Sequence, residues 1–338
     1  MKTTLRLATV AVTAASALAL AGNALATQKL AVSQTTNSLT IKVTQTANDQ
    51  QPARINIYIP SGYTLNTGQP AGTNIGTTNG QVFARDQNIP LPLTGNVVVD
   101  DPAKYTTSSC SPGNNQAVWL LNLSVAGQTI AIPVYVNPTS ASEAGLGSAK
   151  LTVCLAPADT PQGSPGRSPF GAQLLSATFT VNGIFTASPA SARWTSLWTP
   201  YSVGTGVPNA AATVEARALV GPGTVTIAGV VTNKRKRMVQ IRGRVATAGA
   251  GLVGANVRLL VNGKQRFSTT TTANGAYRFN LQKTSRRTVT TFFQTRATSA
   301  ERDVTPTGCT SPSVPGVSCV SATQGAFTSL SRKIKIRL

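Results

Sequence analysis

The feature that most constrains the fold is an alternation of apolar and polar residues with period two, which recurs along nearly the whole chain after residue 26. Gly, Pro and Asn interrupt the alternation at intervals of roughly 8–12 residues, a spacing typical of β-sandwiches. No sustained helical period follows residue 26. The sequence therefore predicts an all-β fold, with clear strand patterns at 39–43, 55–59, 118–125, 130–136, 151–155 and 177–181. Two further patterns, 212–220 and 224–232, flank Gly221-Pro222-Gly223 and predict a hairpin.

The first 26 residues have the three-part composition of a secretory signal peptide. Lys2 and Arg6 precede an apolar stretch at 7–21, and Ala24-Leu25-Ala26 supplies the small residues that a signal peptidase requires. A membrane anchor is the alternative, but the stretch is short for a span. We therefore expect cleavage of residues 1–26 and a mature chain that is secreted, either extracellular or associated with the cell envelope.

Cysteine usage agrees with export. Four Cys allow three pairings, and their spacing favours two disulfide bonds, Cys110–Cys154 and Cys309–Cys319. A zinc site with four cysteine ligands is the alternative, but the closely paired spacing of structural zinc sites is absent. Since the chain has no C-x-x-C motif, a structural role is expected rather than a catalytic one.

Charge divides the chain into two parts. The formal net charge is +21, from 30 Lys and Arg against 9 Asp and Glu. Residues 27–233 carry nine cations and seven acids, whereas 234–338 carry nineteen cations against Glu301 and Asp303. The border is a run of four cations at 234–237. With about 150 residues expected per domain, we predict two β-sandwich domains, Ig-like or transthyretin-like, at 27–233 and 234–338.

The segment 239–281 carries a recognisable set of motifs. Gly243-Arg244-Val245 ends one strand pattern, Leu252-Val253-Gly254-Ala255-Asn256-Val257 begins the next, and Thr272-Ala273-Asn274-Gly275-Ala276-Tyr277-Arg278-Phe279 follows. In this order and spacing the segment resembles the carboxypeptidase regulatory-like domain, a small β-sandwich of the transthyretin-like, carbohydrate-binding-like group. The resemblance implies a spacer, adhesive or binding module and no particular binding residue. The high positive charge of 234–338 is not part of the family pattern.

Six cations of the second domain alternate with apolar residues along predicted strands. Because side chains alternate across a strand, these cations point away from the core. They are Arg242, Arg244, Arg258, Arg278, Lys335 and Arg337. On one shared surface they would bind an anionic polysaccharide or cell-wall polymer, with an anionic membrane surface as a further candidate partner. A basic surface that only aids solubility is the alternative. No nucleic-acid-binding motif is present, so no specific nucleic-acid partner is expected.

The single aromatic cluster, at 194–201, contains Trp194 and Trp198. Because Trp is usually largely buried, the cluster favours the interior of the first sandwich. The functional alternative is an aromatic platform for sugar rings, which makes both residues candidate ligand contacts.

Catalytic chemistry is poorly represented in this sequence. The chain has no His, which excludes Ser-His-Asp and Cys-His nucleophile pairs and imidazole acid–base chemistry. It has no G-x-S-x-G or Walker motif, and its acids are too dispersed for a calcium loop. We therefore predict a non-enzymatic binding protein without metal or cofactor. The alternatives are a structural or adhesive envelope protein whose sandwiches are spacers, and an accessory module of an unrecognised enzyme.

Overall fold

The computed structural model describes residues 27–34, 38–125, 127–187, 191–221, 224–247, 250–282, 290–305 and 307–337. The predicted signal peptide, residues 1–26, lies outside this part of the chain. The fold is all-β, as the alternation predicted, and no helix among the described residues reaches seven residues. Within the same residues, no helix has the length and apolar character needed to cross a membrane.

The described residues form 25 strands. They are β1 (Lys29–Gln34), β2 (Ser38–Thr44), β3 (Pro52–Ile59), β4 (Thr64–Leu65), β5 (Asn74–Ala84), β6 (Ile89–Asp100), β7 (Ala117–Val125), β8 (Gln128–Pro138), β9 (Ala149–Cys154), β10 (Ala172–Asn182), β11 (Phe185–Ala187), β12 (Ala192–Pro200), β13 (Val214–Val220), β14 (Thr224–Val225), β15 (Ala228–Asn233), β16 (Met238–Thr247), β17 (Ala250–Gly251), β18 (Asn256–Val261), β19 (Lys264–Thr270), β20 (Ala276–Gln282), β21 (Thr290–Ser299), β22 (Arg302–Asp303), β23 (Ser318–Gln324), β24 (Phe327–Leu330) and β25 (Ile334–Arg337). Short 3₁₀ helices span Pro102–Lys104, Ala141–Glu143, Pro169–Gly171, Ala210–Ala212, Ala273–Gly275 and Thr307–Cys309.

The first sandwich is built from one sheet of 13 strands, in the order β1-β2-β10-β5-β6-β7-β8-β9-β3-β12-β13-β23-β22. Neighbouring strands are antiparallel except for β13 and β23, which run parallel. The sheet curls over, so that β1 packs against β13 and β23, where the Thr323 hydroxyl donates to the Leu30 carbonyl. One apolar core that includes Trp119, Trp194 and Trp198 fills the interior.

The second sandwich has two sheets of five strands each. The β16 sheet contains β14, β15, β16, β17 and β20, and the β21 sheet contains β18, β19, β21, β24 and β25. Ile241 and Tyr277 of the β16 sheet pack into one core with Val257 and Phe293 of the β21 sheet. The two sheets therefore face each other, and their outer surfaces point in opposite directions.

The sheets do not follow the predicted division at 233 and 234. The run 234–237 is the turn between β15 and β16, and β14 and β15 pair with β16 although they precede it. The predicted hairpin around residues 221–223 does not form, because β13 belongs to the first sheet and β14 to the β16 sheet. Later, β22 and β23 return to the first sheet. The change in charge density along the chain describes the surface of the protein, and it does not specify which strands pair.

Both predicted disulfide bonds are present, with Cα–Cα distances of 6.0 Å for Cys110–Cys154 and 5.6 Å for Cys309–Cys319. No free cysteine remains among the described residues. Such bonds are typical of proteins in oxidising, extracellular environments.

Candidate anion-binding faces

The six predicted surface cations are all exposed, but they lie on two faces of the second sandwich. Arg242, Arg244 and Arg278 belong to the β16 sheet. The other three, Arg258, Lys335 and Arg337, belong to the β21 sheet. Since each side chain points away from the shared core, the two groups point in opposite directions. The prediction of one shared surface is therefore wrong, because alternation along a strand does not reveal which sheet the strand joins.

On the outer surface of the β16 sheet, which we call the β16 face, two arginines oppose each other. Arg242 of β16 and Arg278 of β20 are direct partners in the antiparallel register. Side chains at such positions have Cβ atoms about 4.5–5.5 Å apart, and like charges there are destabilising. Every ion pair in the described part of the chain involves other residues, so neither guanidinium has a carboxylate neighbour there. The pair therefore leaves two cations available to an anion.

A groove on this face is bounded by both arginines. Its volume is 660 Å³, and hydroxyl and amide side chains line it together with the two arginines. The polar residues that line it are Thr226, Gln240, Thr269, Thr270 and Thr272. Below them the Tyr277 hydroxyl hydrogen-bonds to the Thr295 side chain at 2.8 Å, and burial raises the pKa of Tyr277 to about 12. The tyrosine is therefore neutral near neutral pH, and the groove carries only positive charge.

Two motif glycines explain why the sequence forms this face. A Cβ on Gly243 would lie 2.0 Å from the Thr226 carbonyl oxygen and 2.5 Å from the Tyr277 hydroxyl. Gly275 has a φ of +73°, and a Cβ there would lie 2.1 Å from the Val245 carbonyl oxygen. Glycine at 243 lets Thr226 and the Tyr277 ring pack against β16, and glycine at 275 lets the turn before β20 do the same. This close packing occurs beside the register pair Arg242 and Arg278.

Further cations lie along the edge of the β16 face. Arg244 is exposed on β16, and its Nε donates to the Asn274 carbonyl at 2.7 Å. The turn 234–237 lies at the end of β16 where Met238 pairs with Gln282. In that turn the Lys236 amide donates to Asn233 Oδ1 at 2.8 Å. The cationic run predicted to mark a domain border therefore places exposed positive charge at one end of the β16 sheet.

The outer surface of the β21 sheet, the β21 face, has a different composition. Arg258 of β18 lies directly opposite Arg296 of β21, and Lys335 lies opposite Phe292. The Phe292 and Leu330 side chains are 48% and 52% exposed. This face therefore combines cations with exposed apolar side chains. Arg296 and Phe292 were not among the predicted surface residues, although the alternation through 290–299 has the same period as the strands that carried the prediction.

The two tryptophans proposed as a sugar platform are buried in the first sandwich. Trp194 is 0% exposed and Trp198 is 1% exposed. Trp194 Nε1 donates to the Tyr63 hydroxyl at 3.2 Å, and Trp198 Nε1 donates to Ser196 Oγ at 2.9 Å. With both indoles enclosed and their N–H groups paired, neither presents a ring face to a ligand. Both tryptophans therefore lie in the core of the first sandwich, as the usual burial of Trp predicted.

No protein-family model matches the chain, and no curated protein matches it. The resemblance of 239–281 to a carboxypeptidase regulatory-like domain therefore rests on its motif residues alone.

The acids of the first sandwich are engaged in structural contacts. Asp100 is buried and accepts hydrogen bonds from Lys104 at 2.7 Å and Tyr105 at 2.8 Å. Glu143 pairs with Lys150 at 2.9 Å. Among the described residues, no group of three or more Cys, Asp or Glu is arranged to hold a metal ion. These carboxylates therefore serve as hydrogen-bond and ion-pair partners within the first sandwich.

Proposed function

We propose that this is a secreted, non-enzymatic binding protein that captures an anionic polysaccharide or cell-wall polymer on the β16 face. The observation that carries the proposal is the Arg242–Arg278 pair, two opposed guanidinium groups without an acidic partner among the described residues. An anion between them would relieve their mutual repulsion and accept charge-assisted hydrogen bonds from both. In this proposal the second sandwich is a binding module of the carboxypeptidase regulatory-like type.

The composition of the groove favours an acidic glycan. Carboxylate or phosphate groups of a polymer would meet Arg242 and Arg278, while threonine hydroxyls and the Gln240 amide offer hydrogen bonds to sugar hydroxyls. The turn 234–237 and Arg244 extend the positive surface beyond the groove, as a polymer with repeated charges requires. Because bound cations release counterions from a polyanion, the affinity should fall steeply as salt is added.

The test measures binding of polygalacturonate, a linear acidic polysaccharide, across a salt titration. The double variant Arg242→Gln/Arg278→Gln should lose affinity by about tenfold or more, since a charge-assisted hydrogen bond contributes about 1.5–3 kcal/mol. Its slope of log affinity against log salt should fall by roughly one to two units. The matched control is Arg258→Gln/Arg296→Gln, which removes an identical cross-strand pair from the other sheet and should retain affinity.

Three results would contradict the proposal. Equal losses of affinity in both double variants would show that binding depends on the overall positive charge and not on the groove. A loss confined to the Arg258→Gln/Arg296→Gln variant would move the site to the β21 face. No binding of polygalacturonate at low salt by the wild-type protein would favour a spacer or adhesive role, in which the charge serves solubility.

A second candidate, binding to an anionic membrane surface, is favoured by the β21 face. There the exposed rings and aliphatic groups of Phe292 and Leu330 lie beside Arg296 and Lys335, and membrane interfaces bind surfaces that combine cations with apolar side chains. Co-sedimentation with phosphatidylserine vesicles tests this candidate. Phe292→Ser/Leu330→Ser should weaken vesicle binding and leave polygalacturonate binding unchanged. If this variant binds vesicles as tightly as the wild-type protein does, the β21 face is not a membrane-binding surface.

A further inference from the structure

A cavity of 220 Å³ lies where the two sandwiches meet. The first sheet contributes Leu219 of β13, the end of β23, and β22, whereas the second sandwich contributes Thr247 at the end of β16 and residues 251–253. Leu219 and Leu252 form apolar parts of the wall. Val253 lines the cavity and is 54% exposed, so the cavity is open to solvent beside it. A ligand held here would contact both sandwiches.

Three side chains that line this cavity have a buried polar atom without a hydrogen-bond partner in the described part of the chain. The atoms are Gln324 Oε1, Thr247 Oγ1 and Arg302 Nε. Gln324 is 0% exposed and Thr247 is 6% exposed. The Gln324 amide nitrogen donates to the Gly325 carbonyl at 3.1 Å, which leaves the amide oxygen as the free acceptor. Since buried polar atoms are nearly always paired, these three indicate a polar occupant of the cavity.

Strand register places Arg302 and Gln324 on the same side of the first sheet. The two residues are direct partners in the antiparallel β22–β23 pair, so their side chains leave the same face of that sheet. From there the Arg302 side chain reaches the second sandwich, where a Cβ on Gly254 would lie 3.2 Å from Arg302 Nη1. The guanidinium group therefore lies against the turn between β17 and β18.

No acid neutralises this guanidinium. Among the described residues, Arg302 forms no ion pair. Asp303 also borders the cavity, but its side chain leaves the opposite face of the strand together with that of its register partner Thr323. There the Asp303 carboxylate pairs with Lys29 at 3.0 Å. Burial lowers the pKa of Arg302, yet a guanidinium stays charged in proteins. The cavity therefore has one positive charge that no carboxylate offsets.

The size of the cavity favours an organic ligand over water alone. Since an apolar cavity of about 150 Å³ takes up benzene, 220 Å³ has room for on the order of nine non-hydrogen atoms. A buried water needs about two to four polar partners, and the walls at Leu219 and Leu252 supply none. A ligand with a short carbon skeleton would cover these walls and also reach the three polar groups.

We propose that this cavity binds a short polyhydroxy carboxylate such as threonate, with its carboxylate on Arg302 and a hydroxyl group at Gln324 Oε1 and Thr247 Oγ1. The guanidinium selects an anion through charge-assisted hydrogen bonds. The Gln324 oxygen accepts a hydrogen bond, and the Thr247 hydroxyl donates or accepts one, which suits an alcohol. An α-amino acid fits less well, because its ammonium group would meet these neutral groups and no unpaired carboxylate. The polar groups of this site belong to neither the β16 face nor the β21 face, so either proposal can fail without the other.

The first experiment titrates the full-length protein calorimetrically with glycolate, glycerate, threonate and gluconate, in order of increasing length. Affinity should rise from glycolate to threonate as more of the cavity is filled, and fall at gluconate, which exceeds the available volume. Butyrate has the charge without the hydroxyl groups, and threitol has the hydroxyl groups without the charge. Each should bind about tenfold more weakly than threonate, or weaker still. Absence of threonate binding, or equal affinity for threonate and butyrate, overturns the proposal.

The second experiment removes the unpaired groups one at a time. Gln324→Leu and Thr247→Val keep the approximate shape of each side chain, and each should weaken threonate binding about threefold to tenfold. Because the Thr247 hydroxyl is unpaired in the free protein, Thr247→Val should not lower the melting temperature measured without ligand. Arg302→Gln should weaken threonate binding about tenfold or more and leave the weaker binding of threitol unchanged.

The matched control for the arginine is Arg193→Gln. Arg193 is an exposed residue of the first sheet outside the cavity, and its replacement should leave threonate affinity unchanged. Wild-type affinity in the Gln324, Thr247 and Arg302 variants contradicts the proposal. Should Gln324→Leu not fold, the other two variants decide.

The third experiment locates the site and identifies the source of the carboxylate. Arg242→Gln/Arg278→Gln, which removes the proposed polymer contacts, should bind threonate with wild-type affinity. A loss of threonate binding in this variant would place the small anion on the β16 face and contradict the cavity site. Galacturonate carries its carboxylate on a pyranose ring, as the end of an acidic polysaccharide does. Binding of galacturonate in the absence of threonate binding would assign the cavity to a polymer end and overturn the proposal of a free small acid.

Discussion

Arg217 and Glu215, two residues apart on β13, form a buried ion pair that joins the disulfide loop 309–319 to the first sheet. Arg217 donates to the Gly308 carbonyl at 2.9 Å and to Ser313 Oγ at 3.1 Å, and Glu215 accepts from the Ser313 amide at 2.8 Å. Both charged side chains are almost completely enclosed. The pair therefore connects a loop from the last quarter of the chain to a strand of the first sandwich.

Removing one partner of this pair should be strongly destabilising. Arg217→Leu would leave the Glu215 carboxylate buried without its cation, which typically costs about 3–5 kcal/mol. The double variant Glu215→Leu/Arg217→Leu should be less destabilised than Arg217→Leu, because no uncompensated charge remains. Arg193→Leu, at an exposed position on the neighbouring strand, should change the unfolding free energy by less than about 0.5 kcal/mol. Urea unfolding measures all three, and a single variant as stable as the double would refute the expectation.

Both disulfide bonds should form in the mature protein and contribute unequally to its stability. Alkylation without reductant should add no label to the intact mass; four labelled cysteines would contradict the structure. The bonds enclose sequence separations of 44 and 10 residues. Chain-entropy arguments then give about 4 kcal/mol for Cys110–Cys154 and about 3 kcal/mol for Cys309–Cys319. Urea unfolding of the two Cys→Ser pairs should follow this order.

The fragment 234–338 should not fold as a stable unit. It lacks β14 and β15, which pair with β16, and it separates β23 from β13. The longer fragment 224–338 restores the first two strands and should be more stable, although β23 still lacks its partner β13. Circular dichroism melts compare the two fragments. A cooperative melt of 234–338 at the same temperature as 224–338 would show that β14 and β15 contribute little.

The Glu143 carboxylate should make stability depend on pH in acid. Burial opposes its ionisation, but hydrogen bonds from Lys150, Tyr58 and Ser140 outweigh this and lower the pKa of Glu143 from 4.5 to about 2. A carboxyl whose pKa is lower in the folded state stabilises the protein above its unfolded pKa. This contribution is complete above about pH 5 and is lost as pH falls towards 2.

We expect a Glu143→Gln variant to lose this part of the pH dependence. Allowing for partial solvent screening, the difference from wild type should be on the order of 1–2 kcal/mol near neutral pH and should shrink below about pH 4. Unfolding free energies measured from neutral to acid pH provide the comparison. A difference that stays constant with pH would indicate that Glu143 acts only through packing.

For the candidate site, local sequence patterns predicted which side chains are exposed but not which residues are their neighbours on the surface. Arg242, Arg258 and Arg278 point outward as the alternation indicated, because the direction of a side chain follows from its position on its own strand. Their distribution over two faces depends on which strands pair. Arg296 was missed for the same reason, since only the β18–β21 register brings it opposite Arg258.

By itself, the sequence determined the all-β class, the two disulfide pairings and the turn chemistry at positions such as Asn274 and Gly275, which adopt positive φ angles. These properties depend on residues close in the chain or on a small number of possible pairings. Tertiary structure alone decided the return of β23 to the first sheet and the opposition of Arg242 and Arg278. Each of these depends on strand pairing or packing between distant segments, and the period-two pattern is nearly the same in every strand. It therefore specifies which face of a strand is buried but not which strand lies beside it.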